Sequence, residues 1–470
     1  MSDTVQTLAK FVVDTRYEDL PADVLHAAKY LLLDSIGCGL ASITTDRGKM
    51  SIAMARKMGG PPESSIIGVG DKVSNVSAAY VNGELINSTD YDTLMPGGHV
   101  PPYVIPPTLA VAESKDVSGK DMLLATALGF EVAARIPSGI IMDKFIGNGK
   151  DAKFSWGTRA GQAYSNFGAA AGAAKLLGLD HENMAHALGI SGHLCQVLTH
   201  VRYSFSDNRH LTKYGMPGWQ NTGGMMAALL AEIGYTGDTT VFDGDYGFFT
   251  FCGYEGDINL EAITKDMGKT WAFPRITYKP YPCCRMLHGG IDCLYRIIEE
   301  NKINPEEIES IEVMGHPTIE LPCFSHKEVE NVVDAQFNAA YVFSVVVHGV
   351  RIGPEWQDYA TMHDPKIRDF MKKVKFRGHP DFVTMAQKDM TVQIFTVDVV
   401  ARGTTFHEET LHPSGTVGTE GAMSDADLEN KFRHNASRIL TQRKIDAAVK
   451  AILCMEQLDN VSGLIKEIVL

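Results

Sequence analysis

Cationic residues are scarce in this 470-residue chain: 43 Lys and Arg stand against 57 Asp and Glu, a formal net charge of -14. That balance argues against a nucleic-acid or anionic-membrane surface, since both depend on clustered Lys and Arg. It leaves an anionic small molecule open, because a pocket needs only a few converging cations. The first residues, MSDTVQTLAKFVVDTRYEDL, lack the basic start and long apolar core of a secretory signal. No uninterrupted apolar stretch approaches the ~20 residues of a membrane-spanning helix. A cytoplasmic protein is expected on these grounds.

Several signatures are missing as well. There is no GxGxxG after a strand, no Walker A loop, no HExxH and no GxSxG, so nucleotide binding, P-loop hydrolysis and zinc peptidase activity lose ground. The eight cysteines contain no CxxC pair, which makes a structural zinc site unlikely to form and reads them as free thiols, most of them small core residues. Only the adjacent Cys283 and Cys284 admit a second reading. No internal repeat or low-complexity linker is present.

What is there is an ordinary globular composition, 44% hydrophobic and 21% charged, in a chain long enough for two or three compact units. Apolar periodicity predicts helices over most of residues 1–270, including 21–42, 121–136 and the Gly/Ala-rich 167–178, with Gly178 as a stop. From about residue 271 the texture changes. Segments 309–314 and 390–401 alternate apolar and polar residues as strands do, and helical stretches at 287–300 and 333–349 separate them. After Gly421 helices return, with Ser424 and Asp427 spaced as a capping box. The expected fold is mainly α: a large helical domain made of residues 1–270 and 419–470, interrupted by a smaller α+β lid at 271–418.

Three polar clusters on loops are the candidates for chemistry. In NSTDYDTLMPGGHVPP, Asp90, Thr93 and His99 lie in one long loop with Asp92, and a carboxylate beside a histidine can orient the ring as a general base. A single Asp or His there would more simply cap a turn; the cluster favours function. In DNRHLTKYGMPG, Lys213 could hold a carboxylate or protonate a leaving hydroxyl, although alone this run reads as a solvated basic turn. In YKPYPCCRMLHGG, Lys279 precedes Cys284, Arg285 and His288. Arg285 and His288 are three apart and would share a helix face, and an arginine can grip a carboxylate in a two-pronged fork. Cys284 reads first as a packed residue, and as a nucleophile only if a cation lowers its pKa.

The order of these segments, together with GAAAGAAKLLGLD, DAQFNAAYVFSVVVHG and the final KFRHNASRIL, resembles the MmgE/PrpD family over nearly the whole chain. That family includes 2-methylcitrate dehydratases, cis-aconitate decarboxylases and iminodisuccinate epimerases. The resemblance implies a helical domain with a lid, a homodimer, no cofactor or required metal, and an active site between the domains. It carries the family's Asp and His onto Asp90 and His99, and its two lysines onto Lys213 and Lys279. The sequence departs from the pattern at Asn87 and Arg159, where many members have histidine, and at Cys284, where cis-aconitate decarboxylases have one. The last of these weighs against decarboxylation, while Arg159 adds a fixed charge suited to an anionic substrate. The expected activity is loss of water from a small polycarboxylate of the 2-methylcitrate type. Epimerisation, decarboxylation and a ligand-binding homologue without turnover are the alternatives.

Overall fold

The computed structural model describes residues 3–470 apart from 97, 142, 147–152, 157–161, 197–199, 207–209, 214, 327 and 390–391, and gives backbone alone for 143–146, 153–156 and 200–201. The described chain is mainly helical with a small α+β part. Two apolar cores organise it. One draws on residues 5–276 together with 428–468, so both chain ends share it. The other is built from residues 281–401 plus Tyr203.

Helices Asn75–Asn87, Pro101–Lys115, Gly119–Arg135, Ser165–Leu176 and Pro217–Glu232 pack on one another in the first core. Small residues set their spacing. A methyl group at Gly168 would lie 2.3 Å from the Gly129 carbonyl oxygen, and one at Gly172 would lie 2.5 Å from Thr108 Oγ1. These helices therefore touch backbone to backbone, as the Gly/Ala-rich run predicts.

Helix Ala22–Ser42 is long and apolar enough to cross a membrane by length and composition, which the search for uninterrupted apolar runs did not anticipate. In the fold 83% of its most apolar window is buried against other helices, as befits a core helix. Pro21 serves as its cap and not as its first residue.

The second core is a four-stranded sheet in the order Val374–Gly378, Ile308–Gly315, Phe395–Ala401, Thr404–Thr410, covered by helix His288–Asn301. The first pair is parallel, with Val313 opposite Phe376; the others are antiparallel, with Val313 opposite Val397 and Val397 opposite Glu408. The strands expected at 309–314 and 390–401 are present, the latter from Phe395. The two edge strands escaped pattern reading because TTFHEET exposes or half-exposes every residue and VKFRG is short. The expected helix 333–349 breaks at Asn338, whose side chain caps the second piece through the Tyr341 amide. The Ser424–Asp427 capping box forms as read.

Candidate active site

Helix Asn75–Asn87 runs out into a turn whose backbone is satisfied in an unusual way. Five successive carbonyls each accept a hydrogen bond from a buried side chain. Asn87 O accepts from Lys213 Nζ (3.2 Å), Ser88 O from Gln336 Nε2 (2.7 Å) and Thr89 O from Gln357 Nε2 (2.7 Å). Asp90 O and Tyr91 O accept from Lys279 Nζ and Lys431 Nζ, both at 2.7 Å. Asp90 itself adopts a left-handed φ of 53°. For a residue with a Cβ that conformation costs about 1–2 kcal/mol and persists where the surroundings over-determine it.

The Asp90 carboxylate lies between two ammonium groups, with Oδ1 2.6 Å from Lys213 Nζ and Oδ2 2.7 Å from Lys279 Nζ. All three side chains are almost wholly buried. Burial works against the Asp90 charge, but the two lysines outweigh it and hold the carboxyl well below its ordinary range. The lysines respond differently. Burial pushes Lys213 down to about 8, with Asp90 only partly opposing it and Arg47 adding to the fall. For Lys279 the attraction of Asp90 and Asp92 exceeds the burial effect and raises the pKa. Asp92 acts on Lys213 as well, so the two buried ammoniums are held by two carboxylates.

The loop then brings His99 to Asp92. His99 Nδ1 is 2.7 Å from Asp92 Oδ2, and Asn87 Nδ2 donates to Asp92 Oδ1 at 3.1 Å. Burial opposes the Asp92 charge, yet its partners, His99 foremost, keep its pKa low. With Asp92 ionised, Nδ1 carries the proton of this hydrogen bond. A carboxylate in this position orients the imidazole, the arrangement a general base requires. The loop is tied to the segment before Lys279 by a two-bond bridge between Leu94 and Thr277, which explains how Lys279 arrives beside Asp90.

Other expected site residues have different work. Thr93 donates its hydroxyl to Asp34 Oδ2 at 2.7 Å, inside the helical core. It belongs to a supporting pair, since Lys431 sits 2.7 Å from Asp34 Oδ1 and also donates to the Lys279 carbonyl. Arg285 does not present a fork to the site: its Nη1 donates to Ser414 O (2.5 Å), and its Nη2 donates to Pro413 O (2.9 Å) and Thr416 Oγ1 (2.7 Å). His288 is fully buried, with Nδ1 accepting from Arg285 (3.1 Å) and Nε2 donating to Cys283 O (3.2 Å). Burial, then Arg285 and Lys279, hold its pKa well below the usual value, so the ring is neutral and cannot serve as the acid. Burial likewise pushes the Cys284 thiol up to about 12, with Asp90 adding to the rise, which leaves it protonated and not nucleophilic at neutral pH. Arg159 lies outside the described residues, as does Arg209. Among the described residues no group of three His, Cys, Asp or Glu is arranged to hold a metal.

Sequence reasoning missed Asp34, Lys431, Gln336 and Gln357. For Asp34 a signal existed: a carboxylate inside the apolar run LLLDSIG must find a partner. Asn87, read as a departure from the family pattern, turns out to bridge Asp92 and Lys213.

The match to family models agrees with this arrangement, the MmgE/PrpD N-terminal domain covering residues 6–261 and the MmgE/PrpD C-terminal domain residues 281–457. The chain belongs to the MmgE/PrpD family. Asp90, His99 and Lys213 come from its N-terminal domain, Gln336 and Gln357 from its C-terminal domain, and Lys279 from the stretch between. Among similar proteins are the cis-aconitate decarboxylase-like protein oryM of Aspergillus oryzae, 25% identical over 97% of this chain and 95% of that protein, and the cis-aconitate decarboxylase of Aspergillus terreus, 24% identical over 96% and 92%. The human cis-aconitate decarboxylase is 24% identical over 94% and 89%. These relatives are enzymes by name, and they share the family's two domains with this chain over nearly its whole length.

Proposed function

We propose that the chain is a lyase that removes water from a hydroxylated polycarboxylic acid of the 2-methylcitrate type, using side-chain acid–base chemistry alone. The observation that carries this reading is the pairing of a carboxylate-oriented histidine, His99, with a lysine whose pKa has been brought to about 8. Dehydration beside a carboxylate needs both a base and an acid, each near its working pH.

In the proposed reaction His99 Nε2 takes the proton from the carbon next to a substrate carboxylate. That C–H bond is weakly acidic, so the developing enolate-like charge must be met by fixed cations, here Lys279 and the protonated Lys213. As the carbon–carbon double bond forms, the C–O bond breaks and Lys213 gives its proton to the departing hydroxyl. The products are an alkene and water, and proton return from His99 to Lys213 through solvent resets the site. Asp90 keeps the two ammoniums apart and charged before substrate arrives. Arg285 holds the 413–416 loop with His288 against its guanidinium, neither takes a proton, and Thr93 supports the turn through Asp34. Arg159 stays in the proposal as a substrate-carboxylate contact by charge alone.

Decarboxylation is the second reading, favoured by the similarity to cis-aconitate decarboxylases. It would use the same lysines to stabilise the carbanion left by carbon dioxide, and one proton donor to quench it.

Proton NMR in deuterated water against 2-methylcitrate, citrate, cis-aconitate and iminodisuccinate separates these outcomes. An alkene product formed without carbon dioxide, read as a vinyl signal from citrate or as the methyl doublet of 2-methylcitrate becoming an allylic singlet, supports the dehydratase. Carbon dioxide from cis-aconitate selects the second reading. Full turnover by His99→Asn or Lys213→Met enzyme would sink both assignments of base and acid.

A further inference from the structure

The five-carbonyl turn raises a question that the acid–base groups do not answer: what holds Asp90 in a left-handed conformation between two lysines. Three of the five donors are ammoniums whose charge also serves Asp90 or Asp34. The other two are neutral amides with no charged partner. Gln336 Nε2 donates to Ser88 O at 2.7 Å and to Gln357 Oε1 at 2.9 Å. Gln357 Nε2 donates to Thr89 O at 2.7 Å and to Pro282 O at 2.8 Å.

The orientation of both amides follows from their neighbours. Gln357 Nε2 faces two backbone carbonyls, and a flipped amide would set oxygen against oxygen twice. Gln357 Oε1 is then the acceptor that fixes the direction of Gln336. Both residues are buried, on short helical turns at Val332–Phe337 and Pro354–Gln357. Tyr341 ties the second turn down by donating its hydroxyl to Trp356 O at 2.6 Å. Through its own backbone oxygen Gln336 also receives the Cys284 amide at 2.9 Å.

We infer that Gln336 and Gln357 are positioning residues that set the conformation of Asp90, so that docking of the C-terminal domain onto the turn completes the Asp90–Lys213–Lys279 cluster. The two carbonyls they hold, Ser88 O and Thr89 O, immediately precede Asp90. Neither amide exchanges a proton in the proposed reaction. Their action on chemistry runs through the turn: with these donors removed, the Ser88 and Thr89 carbonyls must seek other partners, and Asp90 moves off Lys213. The kinetic part of this inference rests on the dehydratase reading above, whereas its structural part does not.

The test uses the full-length chain with Gln336→Met and Gln357→Met made singly, because methionine keeps the shape and removes the donors. Hydrogen exchange read by mass spectrometry on the peptide spanning residues 85–95 needs no substrate. Exchange there should rise about tenfold or more, while the peptide across 119–135 stays unchanged. With a turned-over substrate, kcat should fall about 10- to 100-fold with KM within about threefold, as a small misplacement of a reacting cluster does. The alkaline limb of the rate profile, set by Lys213, should move to lower pH as Asp90 leaves it. A uniform rise in exchange across both peptides would overturn the inference and assign the glutamines to general stability. Unchanged exchange at 85–95 would overturn it too. Local exchange without turnover of any acid in the panel would keep the positioning role and remove the dehydratase reading instead.

Discussion

Replacing Asp90 by Asn removes the one negative charge that sits 2.6 and 2.7 Å from two buried ammoniums, and its effect can be worked through from those distances. An opposite charge this close shifts a pKa by about 1–3 units. Lys213 stands at about 8 with Asp90 in place, so without it the value falls to roughly 5–7. If protonated Lys213 is the acid, the alkaline limb of the rate profile moves down with it. At pH 7.5 a lysine of pKa 8 is about three-quarters protonated, and one of pKa 6 only about 3%, so the acid form drops by roughly 25-fold before any loss of geometry.

Stability follows with a definite sign. The folded pKa of Lys213 lies below its unfolded value, so the unfolded chain holds more protons between the two, and stability rises with pH through that window. In Asp90→Asn enzyme the window extends downward, and each further unit of depression costs about 1.4 kcal/mol only while the folded pKa stays above the working pH. A fall from about 8 to roughly 6 therefore predicts a loss of roughly 1 kcal/mol at pH 7, recovered in part by adding Lys213→Met. Rate–pH profiles and urea unfolding at several pH values measure both effects. A folded Asp90→Asn variant whose alkaline limb stays near pH 8 would refute the reasoning.

Three further outcomes are expected. Asp92→Asn should lower kcat about 10²- to 10⁴-fold by releasing the His99 tautomer, with little change in KM, and steady-state kinetics that match the parent enzyme would count against the dyad. Arg285→Met strands the Pro413 and Ser414 carbonyls and should destabilise the fold by about 2–4 kcal/mol in urea; a large KM rise at unchanged stability would restore Arg285 as a substrate clamp. Acid should weaken the fold through Asp90: its folded pKa is depressed, so its contribution is complete above the unfolded carboxyl range near 4 and is lost as pH falls below it. Urea midpoints measured from pH 6 to pH 3 should show that drop in the parent chain and a smaller one in Asp90→Asn.

The sequence by itself settled the fold class and the loop that matters. Apolar periodicity marks a helix by its one buried face, and alternation marks Ile308–Gly315 as a strand, because both signals are local and survive without knowledge of neighbours. Loop composition put the Asp90–His99 cluster forward, whereas Lys213 read alone as a solvated basic turn and joined Lys279 as a site lysine through the family resemblance. Which charges meet was decided only in three dimensions. Asp90 lies 123 residues from Lys213 and 189 from Lys279, Thr89 lies 268 from Gln357, and no local rule connects such distances. Tertiary packing also reassigned residues that looked alike in sequence: Lys213 and Lys279 share a carboxylate but are pushed in opposite directions, because the Coulomb gain and the burial penalty differ at the two ammoniums. His288 and Arg285 read as site residues by spacing, yet burial left His288 uncharged and Arg285 spends its donors on backbone carbonyls. Spacing fixes which side chains share a face; the dielectric and partners on that face come from the rest of the chain.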